Sequence, residues 1–60
     1  MHTAEEKFAC IQRELALRRR VYPRWIGKGH ITEAKAKREI AIMQEIADDY
    51  EILMKKERLL

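Results

Sequence analysis

The residues best able to do chemistry in this chain crowd into one stretch, "RRRVYPRWIGKGHIT", residues 18 to 32. It holds Arg18, Arg19, Arg20, Arg24 and Lys28 beside the only tryptophan, Trp25, and both glycines. With His30, Lys35, Lys37 and Arg38 these residues build a basic segment, Arg18 to Arg38, suited to a phosphate backbone or to an acidic protein surface. Arg19, Arg20, Arg24, Lys28 and Trp25 are the candidate partner-binding residues. Successive arginines on a helix point in three directions, so Arg18, Arg19 and Arg20 do not make one patch by themselves. A purely structural reading pairs them with Glu39, Glu45 and Asp48 on a second helix, and that reading carries slightly more weight.

Other chemistries lack their frames. Gly27-Lys28-Gly29 has none of the surrounding pattern of a phosphate-binding loop. His2, His30 and Cys10 have no metal-ligand spacing. Glu45, Asp48, Asp49 and Glu51 lie close in sequence, but acids without a concave site do not form a catalytic pair. The expectation is a protein that is not an enzyme, with no catalytic residues, no cofactor, no metal and no small-molecule substrate.

Two helices have to position the basic stretch. Thr3 followed by Glu6 has capping-box spacing, and Phe8, Ile11, Leu15, Tyr22 and Trp25 continue one apolar face, with Arg18 in its gap. That placement predicts an ion pair from Arg18 to the second helix or across a subunit boundary. Pro23 disturbs the last turn without stopping the register, which predicts a kinked end and a left-handed cap from Gly27 and Gly29. Thr32 reads as the next N-cap. Beyond it Ala36, Ile40, Met43, Ala47, Tyr50 and Met54 are spaced four-three-four-three-four, a heptad seam widened by Ile46 and Leu53. Three pairs, Glu14–Arg18, Glu33–Lys37 and Glu51–Lys55, have (i, i+4) spacing.

The expected fold is all-α, one domain over 1–60, with helices at 3–26 and 32–58 and a bend at 27–31. A linker this short makes the helices antiparallel, with facing residue numbers summing to about 61. Leu15 then meets Ala47 and Met43, and Phe8 meets Leu53 and Met54. Trp25 covers Ala36 and Ile40 and seals the open end of the hairpin, and Arg13 comes near Asp48 and Asp49. Tyr22 and Tyr50 read as amphipathic core residues. A helix-turn-helix reader is disfavoured, because the second helix spends a face on the seam and no third helix exists.

Sixty residues, 47% of them hydrophobic but many of those alanine, lie near the lower limit for a self-sufficient core. Cys10, Leu17 and Val21 form a second apolar stripe, the candidate dimer interface. A homodimer is therefore expected, most simply a four-helix bundle. Net charge is +3 and uneven: residues 1–30 carry seven basic and three acidic side chains, residues 31–60 six and seven. The lone cysteine fits a reducing compartment. No membrane span or signal-peptide pattern is present in the sequence, so a soluble cytoplasmic protein is expected.

"RELALRRRVYPRWIGKGHITEAKAKREIAIMQEIADDYE" resembles a set of small proteins of unassigned function encoded by bacteriophages and prophages. Their shared core runs R-E-x-x-x-R-R-x-V-Y-P, an aromatic or apolar residue, G-x-[IM]-[ST], A-x-x-E-I, then M-x-x-I-x-x-D-Y. Arg13, Glu14, Arg18, Arg19, Val21, Tyr22, Pro23, Gly29, Ile31, Thr32, Glu39, Ile40, Met43, Ile46, Asp49 and Tyr50 occupy those places, over about two thirds of the chain. The resemblance implies a phage product in the bacterial host cytoplasm and no activity. By analogy with small phage proteins, the expected function is a protein-interaction module that modulates or inhibits a host protein. The alternative is a small nucleic-acid-binding protein using the basic bend.

Overall fold

The computed structural model describes residues 1–59 as two antiparallel helices, α1 (Ala4–Gly27) and α2 (Glu33–Arg58), in a rod of 47 × 16 × 15 Å. Each helix starts where its cap residue dictates. The Thr3 hydroxyl oxygen accepts from the Glu6 amide and the Glu6 carboxylate accepts from the Thr3 amide, both at 3.1 Å, which completes the capping box. Thr32 accepts from the Lys35 amide at 3.1 Å without a reciprocal carboxylate, because position 35 is a lysine.

The helix runs on through Pro23 for four more residues, to Gly27, in keeping with an apolar register that continues past the proline. Proline has no N–H, so the Arg19 carbonyl loses its intrahelical donor, and such a site inside a helix costs about 3 kcal/mol. Tyr22, 4% exposed, and half-buried Ile26 hold the turn against α2 from either side of Pro23. Burying a side chain of that size is worth about 1.5–3 kcal/mol, enough to offset most of the defect. The chain then leaves the helix in a Schellman motif. The His30 amide donates to the Trp25 carbonyl at 2.8 Å and the Gly29 amide to the Ile26 carbonyl at 3.0 Å. Gly29 alone takes the left-handed conformation, at φ 77°, and Gly27 is simply the last helical residue. The left-handed cap is thus one glycine, not two.

A single seam holds the helices together. α2 contributes buried Ala36, Met43, Ala47 and Met54, and α1 contributes Ala4, Leu15 and Tyr22. The α2 residues repeat at seven, four and seven, so the heptad reading holds, with Ile40 and Tyr50 half-buried at its margins. The register lies close to the expected one: Arg19 donates to Gln44 at 2.8 Å and Arg58 to Glu5 at 2.9 Å, pairs whose numbers sum to 63. The Arg58–Glu5 bridge ties the basic end of α2 to the acidic start of α1, and each charge also complements its own helix dipole. All three (i, i+4) ion pairs form, at 3.1–3.4 Å.

Several large apolar side chains stay outside. Ile46 and Leu53, expected to widen the seam, are 38% and 45% exposed, and Leu17, Ile42 and Ile52 are exposed as well. Two helices share only one line of contact, and residues more than about 60° from its centre remain on the flanks.

Two outcomes follow from the caps. Gly29→Ala forces a non-glycine residue into left-handed backbone and should cost about 1–2 kcal/mol in thermal unfolding, although its added Cβ meets nothing within 4 Å. Gly27→Ala, equally open but helical, should stabilise by a few tenths to about 1 kcal/mol. The second outcome concerns pH. Hydrogen bonds from the Thr3 backbone and hydroxyl, then from His2, hold the Glu6 carboxyl below its ordinary value of 4.5. A carboxyl depressed on folding contributes stability that is present above 4.5 and lost as pH falls through the lower folded value. Glu6→Gln should flatten that acid limb of the Tm–pH curve while leaving the curve near neutrality parallel to wild type.

Candidate functional site

The arginines of the opening stretch separate into three groups, according to what each one reaches. Arg18 is already engaged within its own helix: its Nε donates to Glu14 at 3.1 Å and its Nη1 to the Tyr22 hydroxyl at 2.8 Å. Tyr22 first, and Glu14 second, raise its pKa above the ordinary guanidinium value. This replaces the expected ion pair to α2. One helical turn separates Arg18 from each of these partners, so the local pair forms first and leaves no free donor edge aimed at α2.

Arg19 crosses to α2, but to an amide. It donates to the Gln44 Oε1, and the Gln44 Nε2 donates in turn to Asp48 at 3.0 Å. Pairing of the cluster with Glu39 or Glu45 is not formed among the described residues, and Asp48 is reached only through Gln44. Gln44 is level with Arg19 on the same flank of the seam, whereas Glu39 lies on the other flank and Glu45 on the far side of α2.

Arg20, Arg24 and Lys28 are exposed, and their side chains have no hydrogen-bond or ion-pair partner among the described residues. Arg13 belongs with them. It is exposed and forms no bridge to Asp48 or Asp49, because at 100° per residue it points away from α2. Positions 13, 17, 20 and 24 are spaced four-three-four along the side of α1 opposite the seam. The result is an outer ridge of three free guanidiniums about 16 Å long at 1.5 Å per residue, with Leu17, 42% exposed, between them. The four-three-four spacing that reveals the ridge is legible in the sequence, whereas the expected approach of Arg13 to Asp48 and Asp49 places it on the wrong side of the helix.

Trp25 does not seal the seam. It is 44% exposed and packs its ring on Tyr22 at a centroid distance of 5.5 Å. Tyr22 fills that place instead, because it falls about 20° from Leu15 on the wheel whereas Trp25 falls about 80° away. Tyr50 is half-buried under the Lys7 ammonium, 5.8 Å above its ring centre. Cys10 and Leu17 are exposed and Val21 is half-buried, so the second stripe lies off the seam, with Leu17 furthest from it.

Nothing in this arrangement forms an enclosed reaction centre. The depressions are open grooves along the rod; one, lined by Tyr22, Pro23, Ile26, Ala36 and Ile40 among others, has a volume of about 480 Å³. Among the described residues no three His, Cys, Asp or Glu side chains come together to hold a metal ion, and no helix is long and apolar enough to cross a membrane.

The burial difference between the two aromatics sets a measurable order. Tyr22→Ala should cost about 3 kcal/mol or more, and Trp25→Ala clearly less, by chemical denaturation. Tyr22→Phe should cost about 0.5–1.5 kcal/mol, the loss of the Arg18 hydrogen bond. A larger loss from Trp25 than from Tyr22 would contradict the packing described.

No family model, no curated protein and no solved structure matches the chain.

Proposed function

We propose that this chain is a small non-enzymatic interaction module, a phage-encoded protein that dimerises into a four-helix bundle and modulates a host protein in the bacterial cytoplasm. The observation that carries the binding role is the outer ridge of α1, where Arg13, Arg20 and Arg24 are free and flank exposed Leu17. Structural arginines in the same stretch are tied down, as Arg18 and Arg19 are. Unpaired guanidiniums around one apolar side chain suit an acidic protein surface with a hydrophobic contact at its centre. Lys28 extends the same charge to the bend. The phage origin rests on the resemblance of the R-E-x-x-x-R-R-x-V-Y-P segment.

A second reading uses the same ridge on nucleic acid, since three free arginines over about 16 Å could track phosphates. Leu17 in the middle of the row favours protein over phosphate.

Capture from bacterial lysate, with and without nuclease, separates the two. The expected result is one host protein that is retained after nuclease and lost with Arg20→Ser/Arg24→Ser, whose fold, judged by circular dichroism, is unchanged. If the ridge binds duplex DNA instead, affinity falls with salt at a log–log slope of about −0.9 per phosphate neutralised. The double variant's slope is then shallower by about two units. Retention of every partner by the double variant refutes the ridge.

A further inference from the structure

The hairpin leaves one of its two broad faces apolar, and we propose that this face is the interface between two copies of the chain, packed with their bends at opposite ends. The inference rests on the homodimer reading above and adds the face and the orientation.

Contacts across the seam distinguish the two faces. On one, Arg19 bonds to Gln44, and Gln12, Ala16 and Glu51 border the same groove. On the other, Lys7 lies over Tyr50, beside Ile11, Glu14 and Arg18. At 100° per residue, Ile46, Leu53 and Ile42 fall about 60–100° from Met43, toward Tyr50 and away from Gln44 and Glu51. Trp25 and Val21 fall about 80–120° from Leu15, toward Lys7 and Arg18. Trp25, Ile42, Ile46 and Leu53, each 38–45% exposed, therefore share one face with half-buried Ile11 and Val21. Of the charges on this face, Arg18 and Glu14 neutralise each other and Lys7 sits on the Tyr50 ring, which lowers the cost of covering them, while Lys35 and Glu39 border Ile42.

Area identifies the occupant. A compact monomer of 7.2 kDa exposes about 4,100 Å² by the usual scaling, whereas this chain exposes 4960 Å². The excess, about 800 Å², matches what one partner contributes to a standard stable interface. Two rods of this shape recover it by lying side by side.

Charge sets the direction. The half nearer the bend, residues 14–47, carries eight basic and four acidic side chains, and the open half carries five and six. Bends together would stack two positive ends, whereas opposite directions set each positive half against a slightly negative one. A two-fold axis at Ile46, near the middle of α2, then brings Ile46 against its own copy. Within the hairpin Trp25 is level with residue 38, so across this axis it stands near Leu53 of the partner subunit. Leu17 stays on the outer edge, whereas Cys10 borders the face beside Ile11 and Arg18.

Sedimentation of the 60-residue chain over a concentration series tests the proposal, with emission of the single tryptophan read on the same samples. Dimers are expected, with a blue shift as they form because Trp25 becomes covered. Ile46→Glu should weaken dimerisation by at least about 30-fold, the effect of a central interface residue, with helical circular dichroism retained. Leu17→Glu should change it by less than about 3-fold, as an edge position does. Spin labels at Lys28→Cys in a Cys10→Ser background should lie about 33 Å apart or more. A chain that stays monomeric at millimolar concentration overturns the homodimer reading and the proposal together. A dimer that is broken by Leu17→Glu and survives Ile46→Glu keeps the homodimer but overturns the face. A label distance under about 20 Å, two interaxial spacings, overturns the orientation.

Discussion

One line of contact between two helices is the constraint on which the rest of this molecule depends. A hairpin has no third element, so every side chain that escapes water must do so at the seam. The arrangement there is small against large. Ala36 and Ala47 let α2 approach closely enough for Leu15 and Tyr22 to fill the space above them, and Met43 and Met54 occupy the gaps between. All buried residues are apolar or, for Tyr22, have their polar atom bonded, and no buried side-chain polar atom lacks a partner among the described residues. The seam is clean, but it is narrow. Ile42, Ile46 and Leu53 lie one flank away from it and gain little from the fold of a single chain.

The turn exists to set the seam's phase. The Schellman bonds at Trp25 and Ile26, the left-handed Gly29 and the Thr32 cap together fix how α2 leaves the bend. Helix continuation through Pro23 belongs to the same problem. Stopping at Tyr22 would save the lost hydrogen bond but would release Ile26 and move the Schellman turn down the helix, unseating Tyr22 from the seam. At the far end Arg58 and Glu5 close the rod, an exposed bridge of the kind usually worth less than about 1 kcal/mol. The register is therefore set mainly by the turn and the alanines, and the bridge reports it.

Surface charge is then sorted by geometry. Glu14 and Tyr22 engage Arg18, Gln44 engages Arg19, and the arginines one face further round are left to the solvent. Tied Arg18 and Arg19 stand directly beside free Arg20, which is why a count of arginines says little about binding. The free ridge lies on the far side of α1 from α2, while the exposed isoleucines lie on a broad face. The arginine ridge and the face that carries Ile42 and Ile46 are thus separate surfaces.

By itself the sequence determined what depends on neighbours within a turn or two. Both N-caps, the three (i, i+4) ion pairs, the glycine at the bend and the heptad of α2 are short-range patterns, and each forms as its spacing requires. The helix bounds and the pairing sum, near 61 against 63, follow from those signals to within a residue or two. What the tertiary structure decided is the rotation of each helix about its own axis. Periodicity identifies an apolar arc but not its centre, and a turn of about 60° exchanges Trp25 for Tyr22 at the seam. The same rotation put Ile46 and Leu53 outside, swung Arg13 away from the acids of α2 and left Arg18 to its own helix. That angle is a long-range quantity, set by the fit of alanines against large side chains and by the exit of the chain at Gly29, and no window along a single helix contains it.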